Sequence, residues 1–463
     1  MKTATSAWNG ISVSDIVEVA LLQSYNTRLV VLSTIVLGVA SGLIGSFLLL
    51  RKRSLIGDAL SHACLPGIVL AFMIMVALGG SGKSLPGLFL GAAVSGLAGV
   101  GVVLLIRNTS RIKDDTAMGL VLSVFFGGGV ALLGLAQAMP QAGAAGLESF
   151  IYGRTASMIL HDFIWIVSVA GVTLLAGFLL YKEMVLLCFD EGFAASQGWP
   201  VKRLDAVMLG LVAAITVVGL QAVGLILMIA FLITPAAAAR FWTEDARRMT
   251  LLAGALGGLS GWLGASISAL APRLPAGAII VLVAAGVFVF SMLFGTSRGI
   301  ATRVRSHRKL VTRVGRQHLL RAVYELLESS SAADVENAPV PNAKIRVADL
   351  VAKRSWSRAR VQRLIDRALK EDHVDFYNGE RLRLSESGFG EAARITRNHR
   401  LWEMYLIAHA DIAPQHVDRD ADMVEHVLGP ELIAELEREI IKRGRASIIP
   451  ASPHVIVPVR GAA

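Results

Sequence analysis

Eight stretches of this chain contain no aspartate, glutamate, lysine or arginine: 29–50, 63–82, 84–106, 116–147, 163–181, 206–239, 249–272 and 274–297. About 20 consecutive apolar residues carry a helix across a bilayer core. In lipid the backbone must satisfy its own hydrogen bonds, which leaves only helices and closed barrels. Runs of this length point to helices, so the first 300 residues are expected to form an all-α polytopic membrane bundle. The composition agrees, with 54% apolar residues against about 45–50% in soluble domains, and a mean hydropathy of +0.60. The run 206–239 is too long for one crossing, and its middle, "VGLQAVG", holds two glycines that suit a break. The reading is eight or nine transmembrane helices.

Basic residues set the expected topology, because short loops rich in Lys and Arg stay inside. Those loops hold Arg51-Lys52-Arg53, Arg107/Arg111/Lys113, Lys182/Lys202/Arg203 and Arg240/Arg247/Arg248. The segment after Gly299, with Arg303, Arg305, Arg308 and Lys309, joins them. The N-terminus is then outside and the C-terminus inside. Residues 1–26 are polar and do not read as a cleavable signal peptide. The two cysteines, Cys64 and Cys188, read as an apolar filler and a neighbour of an internal loop, so no disulfide is expected. Glycine-rich stretches such as "GALGGLSGWLGAS" suit close helix packing and say nothing about cargo.

At the mouth of one charge-free run stands "LIGDALSHACLPG", residues 55–67. Asp58 and His62 are four apart and share one helix face. A carboxylate with an imidazole suits Mn²⁺, Zn²⁺ or Fe²⁺, and an ionisable residue inside a membrane segment is a functional candidate. The plainer alternative makes Asp58 the N-cap of a helix beginning at Ala59 and His62 an interfacial histidine. Spacing alone leaves both open.

Two longer motifs, "GSFLLLRKRSLIGDALSHACLPGIVLAF" (45–72) and "VGLILMIAFLITPAAAA" (223–239), strongly resemble the membrane permeases of ABC importers for manganese, zinc and iron. The resemblance covers about residues 20–300. It implies a metal route through Asp58 and His62, a bacterial inner-membrane location, an external metal-binding protein, and a second permease copy or homologue. "FDEGFAASQGWPVKRL" (189–204) resembles the family's cytoplasmic coupling segment, on which the ATPase subunit docks. There Asp190 or Glu191 would open a short helix containing Ala194, which Gly198 and Pro200 would end. No Gly-x-x-x-x-Gly-Lys-Ser/Thr motif occurs, so the nucleotide site is expected on a separate ATPase subunit.

Residues 301–463 are charged and expected to be a soluble, cytoplasmic domain. An amphipathic helix is expected over 313–330, from Leu319, Leu320, Val323, Leu326 and Leu327. Helix, turn, helix and two strands around Asn378-Gly379 follow, a winged-helix pattern over about 313–390. The second of those helices, 357–371, carries Arg358, Arg360 and Arg363, which suit phosphate contacts on DNA or simply a solvated face. Downstream, "HRLWE" and "D-x-x-E-H" resemble the metal-sensing and dimerisation region of the diphtheria-toxin-repressor-like metalloregulators; the resemblance covers about 313–440, with the metal-binding and dimerisation helices at about 391–440. The resemblance implies a divalent metal held by His399, Asp422, Glu425 and His426. Glu403 and Asp418 match positions for a second ion. At the family's N-terminal ligand positions stand His318, which retains a coordinating nitrogen, and Arg321, which cannot coordinate.

The expected function is the permease subunit of an ATP-driven importer for Mn, Zn or Fe, with a tail that senses metal. The rivals are a membrane-tethered, metal-responsive DNA-binding regulator and a proton-coupled carrier. The regulator would need no Asp58/His62 pair in its anchor, and the carrier would need no coupling segment.

Overall fold

The computed structural model describes residues 18–19, 21–53, 55–80, 82, 84–139, 155, 158–270, 274–331, 343–354, 356–378, 380–409, 435 and 438. The chain divides into two compact units, Met1–Arg303 and Val304–Ala463.

The secondary-structure elements described in the first unit are all helices. Its helices are α1 (Tyr25–Leu50), α2 (Ile56–Ala77), α3 (Leu85–Thr109), α4 (Asp114–Gln137), α5 (Leu160–Leu179), α6 (Tyr181–Phe189), α7 (Glu191–Ser196), α8 (Val201–Val223), α9 (Leu225–Arg240), α10 (Ala246–Leu270) and α11 (Ala276–Phe294). Among the described residues eight helices are long and apolar enough to span a membrane: α1 to α5, α8, α10 and α11. The long run 206–239 does break. Gly224, at φ 84° and ψ 170°, separates α8 from α9, a backbone region open essentially to glycine alone.

Helix α1 lies at the heart of the bundle, with Leu37, Ala40, Ile44 and Phe47 fully buried. Its seam with α10 is made by glycine. A Cβ placed on Gly38 would stand 2.4 Å from the Gly257 carbonyl oxygen, and one on Gly257 would stand 2.1 Å from that of Gly38. Ser46 and Thr250 close the seam with a 3.0 Å hydroxyl contact. Small residues permit this approach, and packing rather than water expulsion holds helices together in lipid.

The second unit begins within α12 (Ile300–Ser331) and continues through β1 (Ile345–Arg346), α13 (Val347–Arg354), α14 (Arg358–Lys370), β2 (Val374–Tyr377), β3 (Arg381–Leu384) and α15 (Glu386–His409). The apolar stripe of α12 expected from spacing, Leu319 to Leu327, is buried, packed with Leu350, Val361, Ile365 and Leu382. Strands β2 and β3 pair antiparallel, Val374 opposite Leu384 and Tyr377 opposite Arg381. Asn378 takes the left-handed φ of 48° that their turn needs. Beyond the two strands expected, β1 adds a third, pairing Ile345 with Leu382.

Candidate metal path and coupling site

Asp58 and His62 share one face of α2, with Asp58 Oδ1 3.3 Å from His62 Nε2. Asp58 is not the N-cap. Leu55 holds that position with an already helical backbone, φ −72° and ψ −11°, so the helix starts two residues before Asp58 and places it in the first turn. A carboxylate there is stabilised by the helix dipole. At 1.5 Å per residue the pair lies roughly 3–9 Å from the start of a helix about 33 Å long.

The surroundings of His62 bear on what the pair can do. Its ring meets Phe126 of α4 edge-on, centroids 4.6 Å apart. Its Nδ1 is buried and has no hydrogen-bond partner among the described residues. A buried polar nitrogen without a partner is costly, and a cation or an ordered water would satisfy it. Pro66, one turn on in the same helix, has no N–H, so the usual bond from residue 66 to the His62 carbonyl cannot form. Asp58 and His62 Nε2 thus face each other on α2 closely enough to share a divalent ion, and the His62 carbonyl lacks its usual helical donor.

The short helix α7 begins where the sequence placed it. Asp190 is its N-cap, its side chain accepting from Phe193 N at 2.8 Å. Gly198, at φ 82°, ends the turn after it. Ala194 is buried, while Phe193 and Trp199 are exposed.

Glu191, half-exposed, meets two arginines. Arg107 reaches both its oxygens at 2.9 Å, and Arg51 reaches Oε2 at 3.1 Å. Behind it lies Asp205, near the start of α8 and 2% exposed. Arg53 bonds both oxygens of Asp205, at 2.9 and 3.0 Å, Arg107 bonds Oδ2 at 2.8 Å, and Arg51 lies 3.4 Å from Oδ1. Sequence reading took these arginines only as topology markers and did not single out Asp205. Burial pushes the nearby Cys188 thiol up to about 12, so it stays neutral beside this cluster. The α1–α2 turn with Arg51–Arg53, the end of α3 with Arg107, and the segment Glu191–Asp205 therefore meet at one end of the bundle.

In the second unit His399 and Glu403 are buried on α15, with His399 Nε2 3.1 Å from Glu403 Oε1. Arg321 of α12, fully buried, donates to His399 Nδ1 and lies 3.2 Å from Glu325. The two ring nitrogens of His399 thus face Arg321 on one side and Glu403 on the other. His318 is half-buried one turn before Arg321. Asp418, Asp422, Glu425 and His426 lie outside the described residues. Among the described residues no three His, Cys, Asp or Glu side chains gather in a way that could hold a metal ion. Arg358, Arg360 and Arg363 are exposed on α14, Arg360 leaning over the Trp356 ring at 5.7 Å.

With this geometry in hand, comparison with known proteins is direct. The model of the "ABC 3 transport family" matches residues 23–295, and the chain belongs to that family. A second model, "Iron dependent repressor, metal binding and dimerisation domain", matches residues 385–442. The manganese transport system membrane protein MntC of Bacillus subtilis is 37% identical over 86% of this chain and 88% of its own length. That span exceeds the membrane unit, so the likeness extends into the C-terminal unit. The zinc transport system membrane protein TroC of Treponema pallidum is 43% identical over 63% of this chain and 96% of its own length. Among solved structures, PsaBC from Streptococcus pneumoniae in complex with Fab is similar at a TM-score of 0.53 and 30% identity, covering 62% of this chain and 98% of that one. The protein is thus a multi-pass membrane transport subunit with a C-terminal domain like those of iron-dependent repressors.

Proposed function

We propose that this chain is the permease of an ATP-driven importer that moves divalent transition-metal ions through a path containing Asp58 and His62. The observation that carries the reading is the acid–histidine pair in an apolar helix, with a buried imidazole nitrogen left without a partner. Relatives named for manganese and zinc support those two ions as cargo, and the ligand set also admits Fe²⁺. One chain supplies one acid and one histidine here. Two permeases, as a homodimer or with a homologue, would supply two of each.

ATP hydrolysis falls to a separate ATPase that docks on α7, with Asp190, Glu191, Ala194 and Gly198 as the residues that shape and couple this segment, and an external binding protein delivers the ion. The basic end of the bundle is inside, and the C-terminal unit is cytoplasmic. We assign the C-terminal unit a regulatory role in transport. The regulatory ion is assigned to His399, Asp422, Glu425 and His426, with Glu403 and Asp418 for a second ion and His318 as a further donor.

The test is uptake of Mn²⁺ and Zn²⁺ by the full chain with its ATPase in proteoliposomes. Asp58→Asn and His62→Ala should each abolish uptake while the complex still assembles. Normal uptake by both variants would sink the assignment. A second reading, a DNA-binding regulator tethered to the membrane, draws on the exposed Arg358, Arg360 and Arg363. It requires salt-dependent binding of duplex DNA by the full chain in nanodiscs, weakened by Arg360→Ala.

A further inference from the structure

The cluster of Arg51, Arg53 and Arg107 on Asp205 and Glu191 has a use beyond holding the fold. Three guanidinium groups converge on a single carboxylate that is 2% exposed. Each partner belongs to a different part of the bundle. Arg51 follows the last residue of α1, Arg53 precedes α2, Arg107 is in the last turn of α3, and Asp205 is in the second turn of α8. Glu191, on α7, is the more exposed member and bonds two of the same three arginines.

Arg53 matters most for the path. Ile56 N donates to the Arg53 carbonyl at 3.0 Å, and Arg53 N donates to Leu48 O at 2.8 Å. The residue is thus fixed by its backbone to the end of α1 and the start of α2, and by its side chain to Asp205. Asp58 follows five residues later. A helix is stiff along its axis, so a displacement at Arg53 moves the root of α2 and Asp58 with it. Buried, mutually bonded charges cannot separate gradually without large cost, so the cluster moves as one body.

We propose that Asp205 and its three arginines form the joint that passes displacement of α7 to the root of α2, and that Glu191 ties α7 into that joint. This rests on the reading of α7 as the ATPase docking helix. Glu191 is then a positioning residue, acting on the metal path through Arg51, Arg107, Asp205 and Arg53.

The experiment uses the full chain with its ATPase in proteoliposomes and measures Mn²⁺ and Zn²⁺ taken up per ATP hydrolysed. Glu191→Gln should still copurify the ATPase and melt like the wild type, because Glu191 is half-exposed. Uptake per ATP should fall about fivefold, the factor given by an ion pair at the top of the usual surface range. Arg107→Gln should fall at least as far, and the double variant should lose less than the product of the two single losses, since Glu191 and Arg107 share a contact. Wild-type uptake per ATP in Glu191→Gln overturns the joint, as does a double variant whose loss equals the product of the single losses. Loss of the ATPase from Glu191→Gln would make Glu191 a docking residue and also overturn it. Phe193→Ala tests the underlying reading separately. This exposed residue of α7 should be needed for ATPase copurification, and wild-type copurification and uptake in Phe193→Ala would remove the docking role and the joint together.

Discussion

Gly67 lies five residues after His62, where α2 and α3 touch. A Cβ on Gly67 would sit 2.0 Å from the Gly91 carbonyl oxygen and 2.4 Å from Ser95 Cβ. Real Cβ atoms keep at least 3.0 Å from such neighbours, so Gly67→Ala forces the helices apart by about 1 Å. The obstacle is backbone, which cannot turn aside as a side chain does. The Ser95 hydroxyl also donates to Ala63 O at 2.6 Å, so the shift pulls on the residue next to His62. Overpacking of this kind costs about 1–3 kcal/mol. Metal–ligand distances tolerate only about 0.2 Å, so a displaced His62 loses its ion. Uptake should fall about 5- to 150-fold, the range that the same free energy sets for an equilibrium. The assay pairs metal uptake in proteoliposomes with a thermal melt in detergent. Gly101→Ala on α3, with nothing within 4 Å of its Cβ, should match the wild type in both. A Gly67→Ala protein that melts and transports like the wild type would refute the close approach of α2 to α3.

Gly224→Ala should cost about 1–3 kcal/mol, because alanine does not tolerate the backbone at the α8–α9 break; a melt unchanged from wild type would contradict this. Pro66→Ala returns an N–H donor to the His62 carbonyl and removes a helix-interior proline, which is about 3 kcal/mol less favourable than alanine. The variant should melt higher and transport less, and undiminished uptake would discount the carbonyl as a ligand. Arg321→Met removes the buried partner of His399 and should destabilise the C-terminal unit by about 3–5 kcal/mol. Faster amide exchange along α15 is the measurement, and unchanged exchange would argue against the contact.

Much of this could be read from local pattern. Charge-free runs located the spanning helices, two glycines around Gln221 marked the break at Gly224, and Asp190 with Gly198 bounded α7. Asn378 marked the β2–β3 turn, and the leucine stripe of α12 foretold its buried face. Each is a property of a few adjacent residues. The arginine cluster was not legible, because Arg53 and Asp205 are separated by 152 positions and no periodicity links them. Arg107 and Arg53 looked alike in sequence, both being basic residues near helix ends, and only packing makes them share one carboxylate. Arg321 was legible as a residue that cannot bind metal, but its bond to His399 required α12 and α15 to be brought together. The start of α2 was not legible for a smaller reason: Leu55 and Ile56 carry no capping signal, so an N-cap at Asp58 stayed open beside the metal reading.

The position of the acid–histidine pair within α2 has an electrical consequence. About 25 Å of helix lies beyond the pair, and only a short length lies before it. With the basic end inside, as proposed, an incoming divalent ion crosses roughly three-quarters of the span before reaching Asp58 and His62. Each elementary charge gains about 2.3 kcal/mol per 100 mV across the whole membrane, so two charges gain on the order of 3–4 kcal/mol by that point. An inside-negative voltage would therefore act mainly on filling the pair, leaving a small remainder for release toward the inside.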